Sequence, residues 1–208
     1  MTPPPVERPA AVPGRVADPD PSQVAAVVAL ARAARPAAPF TEHPGRGTVV
    51  VAVDGRSGSG KTLLASAVAD TLGCPVVHLD DLYPGWDGLE AGVALLTEHV
   101  LAPLARGEEA AYPQWDWMRA RPGRTVTVDA GPILVVEGCG ALVAPAVAFA
   151  ALRVWLDAPD EVRKERALSR DGETYAPHWE RWAAQEDAVY AVAGPRDTAH
   201  VVLRTGAA

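Results

Sequence analysis

Between Val49 and Thr62 the chain reads VVVAVDGRSGSGKT, and this stretch restricts its fold more than any other. A β-branched run leads into a glycine-rich turn, and a helix-forming segment follows. Gly55, Gly60, Lys61 and Thr62 fit the phosphate-loop (P-loop, Walker A) pattern G-x-x-x-x-G-K-[ST]. Glycines let main-chain amides turn inward around a phosphate, and the helix that opens there aims its positive end at the same anion. The stretch Gly55, Arg56, Ser57, Gly58, Ser59, Gly60 and Lys61 is therefore expected to cradle the phosphates of ATP. Lys61 would bridge the β- and γ-phosphates and the Thr62 hydroxyl would bind Mg²⁺. The alternative is a glycine turn that matches by accident. Lysine usage argues against it: of the 19 basic residues only Lys61 and Lys164 are lysine. A chain that otherwise uses arginine places lysine where a compact ammonium suits a phosphate.

A length of 208 residues with 49% hydrophobic side chains suits one α/β domain with a substantial core. The net charge of −7 argues against a general nucleic-acid or anionic-membrane binder. Cys74 and Cys139 form neither a disulfide framework nor a zinc-spaced set. No apolar run reaches the length of a membrane span, and the N-terminus lacks a signal-peptide core. The expectation is a soluble, cytoplasmic protein acting on a small molecule, with no nucleic-acid or membrane partner.

Residues 1–21 hold seven prolines and read as a disordered tail, which leaves 22–208 as the folded domain. Ser22 is expected to cap a helix over QVAAVVALARAAR. The first strand is expected over Thr48–Val53 and the phosphate-loop helix over Lys61–Leu72, ended by Gly73. Pro75–Leu79 reads as a short strand delivering Asp80, Asp81 and Tyr83 at its C-terminal end, where open parallel sheets bind ligands. Leu89–Arg106 reads as a helix that Pro103 bends or ends. Ala110–Trp117 and Thr125–Asp129 are expected to pair as a small antiparallel hairpin joined by MRARPGR. Ile133–Val136, Leu152–Leu156 and His200–Leu203 read as further strands, the first buried on both faces. Pro159–Arg170 and His178–Ala191 read as helices, with Asp171–Ala176 an exposed loop that would act as a short lid. Strands alternating with helices imply a three-layer fold, a parallel sheet flanked by helices.

Asp80, at a strand tip near the transferred phosphate, could accept a proton from an attacking hydroxyl, although a solvated turn aspartate has the same sequence appearance. Glu137, ending VVEG, suits a magnesium ligand or a polar strand exit. Arg163, Arg166 and Arg170 share one helix face and could stabilise a transferring phosphoryl group or simply be solvated beside Asp160, Glu161 and Glu165. Arg166 and Arg170, next to the expected lid, are the stronger candidates. Tyr112, Trp115 and Asp116 with Arg119 and Arg121 could stack on and hydrogen-bond an acceptor, or merely cover the core edge. Trp179, Trp182 and Cys139 read as packing residues.

Taken in order, VDGRSGSGKT, HLDDLY, YPQWDW followed by RTVTV, ILVVEG and WLDAPDEVRKERALSRD resemble the uridine kinase-like family of P-loop kinases, over about Val49 to Asp171. The resemblance implies an ATP- and Mg²⁺-dependent kinase with a small-molecule acceptor, a nucleoside first. Asp80 would activate the acceptor hydroxyl, and Tyr83 closes the same motif. Trp115-Asp116-Trp117 falls where the family has its nucleoside-contacting hairpin, and Arg166 and Arg170 fall on its lid arginines. Arg119 and Arg121 stand near where the family carries a histidine, which leaves open another acceptor such as a pantothenate-like compound, a sugar acid or a nucleoside monophosphate. A non-catalytic ATP-binding switch is the alternative outside the enzymes.

Overall fold

The computed structural model describes residues 18–40 and 47–206. Most of the expected tail lies outside them, but Pro21 is already the first residue of helix α1 (Pro21–Ala33). The cap of α1 is Asp20 rather than Ser22: the Asp20 carboxylate accepts the Ser22 amide at 2.8 Å. Aspartate fills this role as well as serine does, and Pro21 suits a first helical position, which needs no amide hydrogen.

Strand β1 (Val49–Gly55) is central in a five-stranded sheet ordered β2-β5-β1-β6-β7. The other strands of the sheet are β2 (Val76–His78), β5 (Ile133–Glu137), β6 (Leu152–Asp157) and β7 (Val201–Arg204); β1 lies between β5 and β6, and every pairing is parallel. All seven β1 residues are buried, because successive side chains enter opposite layers. Val49, Val51 and Val53 pack under α1 and helix α2 (Lys61–Leu72), with Leu64, Ala65 and Val68. Val50 and Ala52 enter the second layer, with Leu134 and Val136. Each fully buried valine or leucine contributes about 1.5–3 kcal/mol, so the continuous apolar run is what holds the three layers together.

In the second layer, helix α3 (Leu89–Leu96) runs through a π-helical turn at Thr97–Leu101 into α4 (Ala102–Ala105). Pro103, which cannot donate to the ladder and crowds the carbonyl four residues back, accounts for the widened turn just before it. The hairpin pairs β3 (Ala110–Asp116) with β4 (Arg121–Val128). Strand β4 begins four residues earlier than its β-branched stretch suggests. The turn is correspondingly tight, with Ala120 at φ 49°.

The segment expected as an exposed lid loop is instead helical. Helix α5 (Asp160–Tyr175) continues through it, broken only at Gly172 (φ 55°, ψ −136°). A short turn at Ala176–His178 then starts α6 (Trp179–Ala193), followed by α7 (Pro195–Thr198). The left-handed φ at Gly172 redirects the chain and leaves Tyr175 buried. Among the described residues no helix is long and apolar enough to cross a membrane.

Candidate active site

The C-terminal ends of β1, β2 and β5 open into a cavity of about 510 Å³. Its floor is the phosphate loop: Ser57, Gly58, Lys61 and Thr62 all line it. The loop is tight because the first turn of α5 lies against it. A Cβ on Gly58 would sit 2.1 Å from the Arg163 carbonyl oxygen, and Gly58 has φ 80°. Arg163, left open between solvent and function by its sequence, is buried; it donates to the Ser57 carbonyl at 3.0 Å and to Asp160 at 2.7 Å.

The ammonium of Lys61 is buried, 3.2 Å from the Arg56 carbonyl and 3.4 Å from Cys139 Sγ. Burial alone would lower its pKa. The neighbouring Cys139 sulfur and the acidic groups of Glu137, Glu186 and Asp54 act against burial, and the ammonium is held above the ordinary lysine value. Within the loop the Ser57 and Ser59 amides are taken by Glu186 and the Arg56 carbonyl. At the first turn of α2 the amides have no intrahelical acceptor, so the helix start presents donors beside a fixed cation. That donor set fits a polyphosphate. The Thr62 hydroxyl donates to Glu137 Oε1 at 3.2 Å, and His78 Nδ1 lies 2.6 Å from the same oxygen. A hydroxyl and a carboxylate side by side at the phosphate end are the hard oxygen donors Mg²⁺ takes, with water and phosphate oxygens completing its shell. The Glu137 hydrogen bond is the chief cause of a raised His78 pKa.

Asp80 opens onto the cavity from the turn after β2. Surrounding protein raises its carboxyl above the ordinary aspartate value, and Glu137 adds to this; Lys61, Arg170 and His78 act in the opposite direction. Asp81 also lines the cavity, accepting Gln114 Nε2 at 2.8 Å and the Tyr112 hydroxyl at 3.4 Å from the hairpin. Trp117 Nε1 donates to the Asp80 carbonyl at 2.8 Å, so hairpin and Asp80 turn are locked together.

The expected residues divide. Lys61, Thr62, Asp80, Tyr83, Glu137 and Arg170 all line the cavity. Tyr83 does so from within the core, its hydroxyl donating to the Cys139 carbonyl at 2.7 Å. Arg166 does not line the cavity with Arg170; it donates to Thr205 Oγ1 at 3.2 Å, and that hydroxyl donates to the Ser59 carbonyl at 2.7 Å. The two arginines lie four residues apart on α5, yet one faces the cavity while the other braces the phosphate loop through Thr205. Arg56 enters the site through its carbonyl only. Its side chain turns to Asp187 at 2.5 Å and over the Tyr190 ring at 5.7 Å.

On the hairpin, Tyr112, Trp115, Asp116, Arg119 and Arg121 stand outside the cavity lining, and Trp117 takes the place given to Trp115. Arg119 pairs with Asp116 at 2.7 Å across the exposed turn, and Arg121 is exposed. The short turn is the reason: it spends the arginines at the solvent end and leaves Trp117 folded back on the Asp80 turn.

Sequence reasoning missed the other wall. Trp86, Tyr175 and Trp182 line the cavity, so Trp182 does more than pack. Trp86 stacks on Tyr175 (5.3 Å, 13°) and on His178 (4.4 Å, 14°), and Trp182 meets Tyr83 edge-on at 4.8 Å. Helix α6 secures this wall: Gln185 Nε2 donates to the Trp86 carbonyl at 2.7 Å, and Arg181 pairs with Asp87. The missed signal was the spacing of HWERWAAQE, which puts Trp182 and Glu186 one turn apart on a single face.

Glu186 and Asp54 support the loops from behind. Glu186, 1% exposed, accepts the Ser57 amide at 2.8 Å, Trp182 Nε1 at 3.1 Å and Cys139 Sγ at 3.2 Å. Cys139 thus sits against the phosphate loop rather than merely filling space, and burial raises its thiol pKa. Asp54, fully buried at the end of β1, accepts the amides of Gly55, Gly140 and Leu142 and the Tyr190 hydroxyl, at 2.7, 3.0, 2.8 and 2.7 Å. One carboxylate therefore fixes the phosphate loop against the loop after β5. Burial pushes its pKa up against those bonds.

No protein-family model matches the chain, and no curated protein matches it. Solved structures do match. A possible uridine kinase from Bacillus stearothermophilus is 21% identical with a TM-score of 0.59, over 87% of this chain and 99% of that one. A shikimate kinase from Bacteroides thetaiotaomicron, 20% identical over 75% of this chain and 85% of that one, has a TM-score of 0.39. The first likeness shows that the chain has the α/β fold of P-loop kinases, as the sequence resemblance implied; the second is too distant to carry weight.

Proposed function

We propose that the protein transfers the γ-phosphoryl group of ATP to a hydroxyl of a small molecule. The observation that carries this reading is that Lys61 and Asp80, nineteen positions apart in sequence, line one cavity with Thr62, Glu137 and Arg170. A phosphate cradle alone suits a switch protein, whereas a carboxylate facing the same space suits group transfer. The uridine kinase likeness suggests a nucleoside as the first acceptor to try.

Phosphate-loop amides and Lys61 would hold the triphosphate of ATP. Asp80 would take the acceptor proton as the acceptor oxygen bonds to the γ-phosphorus and the bond to the β–γ bridging oxygen breaks, giving ADP and a phosphate ester. Arg170 would face the charge spread over the transferring group. Mg²⁺, held at Thr62 and Glu137, would neutralise charge on the phosphate oxygens. Trp86, Trp117 and Trp182 would exclude water from the acceptor side.

Asp80→Asn tests the reading. It keeps the shape and removes the base, so transfer measured with labelled ATP and a pooled metabolite extract should fall by about 10²–10⁴-fold. Undiminished transfer would remove Asp80 from the base role. Because its pKa is raised, the acid limb of kcat/KM should lie above the ordinary aspartate value of 3.8.

A further inference from the structure

The acceptor end of the cavity carries a chemistry of its own. Two carboxylates, Asp80 and Asp81, face it, and Trp86, Trp117 and Trp182 supply three indole rings. Asp81 is held by two neutral hydrogen-bond donors, Gln114 and Tyr112, and makes no ion pair among the described residues, although His78, bonded to Glu137, feels its charge. Nor does the Asp80 carboxylate accept a hydrogen bond among them; only its main-chain carbonyl is engaged, by Trp117. The two hairpin arginines that could have favoured an acid are turned away, Arg119 to Asp116 and Arg121 to solvent. Arg170 and the phosphate-loop Lys61 are the basic residues of the lining.

We infer that the acceptor is a hydroxyl compound bearing a cationic amine, held between the Asp81 carboxylate and the indoles of Trp86, Trp117 and Trp182. Aromatic faces and a carboxylate together are what an ammonium group prefers, since the ring quadrupole and the formal charge attract it jointly. A carboxylate or phosphate on the acceptor would meet Asp80 and Asp81 instead, a repulsion that strengthens in a cavity shielded from water. The inference rests on the kinase reading for the hydroxyl and the transfer, but the amine preference belongs to the pocket alone.

Three probes of nearly equal shape separate the cases without ATP: tetramethylammonium, tert-butanol and pivalate, followed by tryptophan fluorescence of the full chain. The expected result is saturable quenching by tetramethylammonium, with affinity at least about tenfold above that of the other two. Asp81→Asn, whose amide oxygen still accepts Gln114 Nε2 while its NH2 can donate to the Tyr112 hydroxyl, should weaken that binding about tenfold. Trp117→Leu should weaken it likewise, with melting curves showing that both variants remain folded. Equal quenching by tert-butanol would return the acceptor to the uncharged class, nucleosides included, and overturn the inference. Preference for pivalate, or no binding of any probe, would overturn it too. Ammonium binding with no transfer to any amine-bearing alcohol would sink the kinase reading while leaving the pocket chemistry in place.

Discussion

The two ends of the cavity are built by different means. The phosphate end is one continuous stretch, Gly55–Thr62, in which strand, turn and helix follow one another and the backbone would do most of the proposed binding. The acceptor end is drawn from four separate places: the turn after β2, the loop carrying Trp86, the hairpin, and the α5–α6 junction. Local backbone geometry is carried by a handful of neighbouring residues, so it survives as a motif. A wall assembled from distant side chains depends on how helices and a hairpin dock, and leaves only scattered tryptophans in the sequence. Glu186 joins the two ends, its Oε1 accepting both the Ser57 amide and the Trp182 indole N–H.

That contrast can be broken in order of expected effect. Lys61→Ala should cut transfer by about 10²–10³-fold by removing the fixed cation at the phosphate end. Tetramethylammonium should still quench tryptophan fluorescence in that variant; loss of both would mean the ends are not separate. Glu186→Ala comes next. It leaves the Ser57 amide and the Trp182 indole without their buried acceptor, at about 1–3 kcal/mol in a denaturant melt. The same variant should raise KM for ATP and for the acceptor together, and a rise in only one would show that Glu186 serves one end alone.

His78 gives a smaller, pH-dependent effect. Its folded-state pKa is raised above the ordinary 6.5 by the bond to Glu137, so the pair's stabilisation is complete below that value. It is lost as the pH climbs through the raised value. His78→Gln should therefore destabilise the protein more at pH 6 than at pH 9 in parallel thermal melts. The reverse order would mean that the imidazole is neutral in the fold. Arg119→Ala should do least, changing neither the melting temperature nor transfer, because the pair with Asp116 is exposed and outside the cavity. A clear loss of transfer would show that the hairpin tip closes over the acceptor.

Much of the fold was legible because its causes are local. The continuous β-branched run of Val49–Val53, the glycines of the phosphate loop, and the apolar run of Ile133–Val136 each declare a strand or a turn within a few residues. Lys61, Thr62, Asp80 and Glu137 were legible for the same reason, since each stands directly at a strand end or helix start. Arg166 and Arg170 were not separable, because a helix face defined by spacing does not say which part of it a neighbouring strand will cover; Thr205 of the chain's end captures one and leaves the other to the cavity. The hairpin arginines misled similarly: the turn's tightness, with Ala120 in the left-handed region, decides whether they reach inward.

By itself the sequence determined the parallel α/β layering and the phosphate cradle, because both follow from periodicity and backbone conformation over short stretches. Only the tertiary structure decided the acceptor wall and the buried carboxylates behind the loops. Those depend on residues more than a hundred positions apart, such as Asp54 and Tyr190 or Ser57 and Glu186, whose meeting is set by the docking of α6 on the sheet and is written in no local pattern.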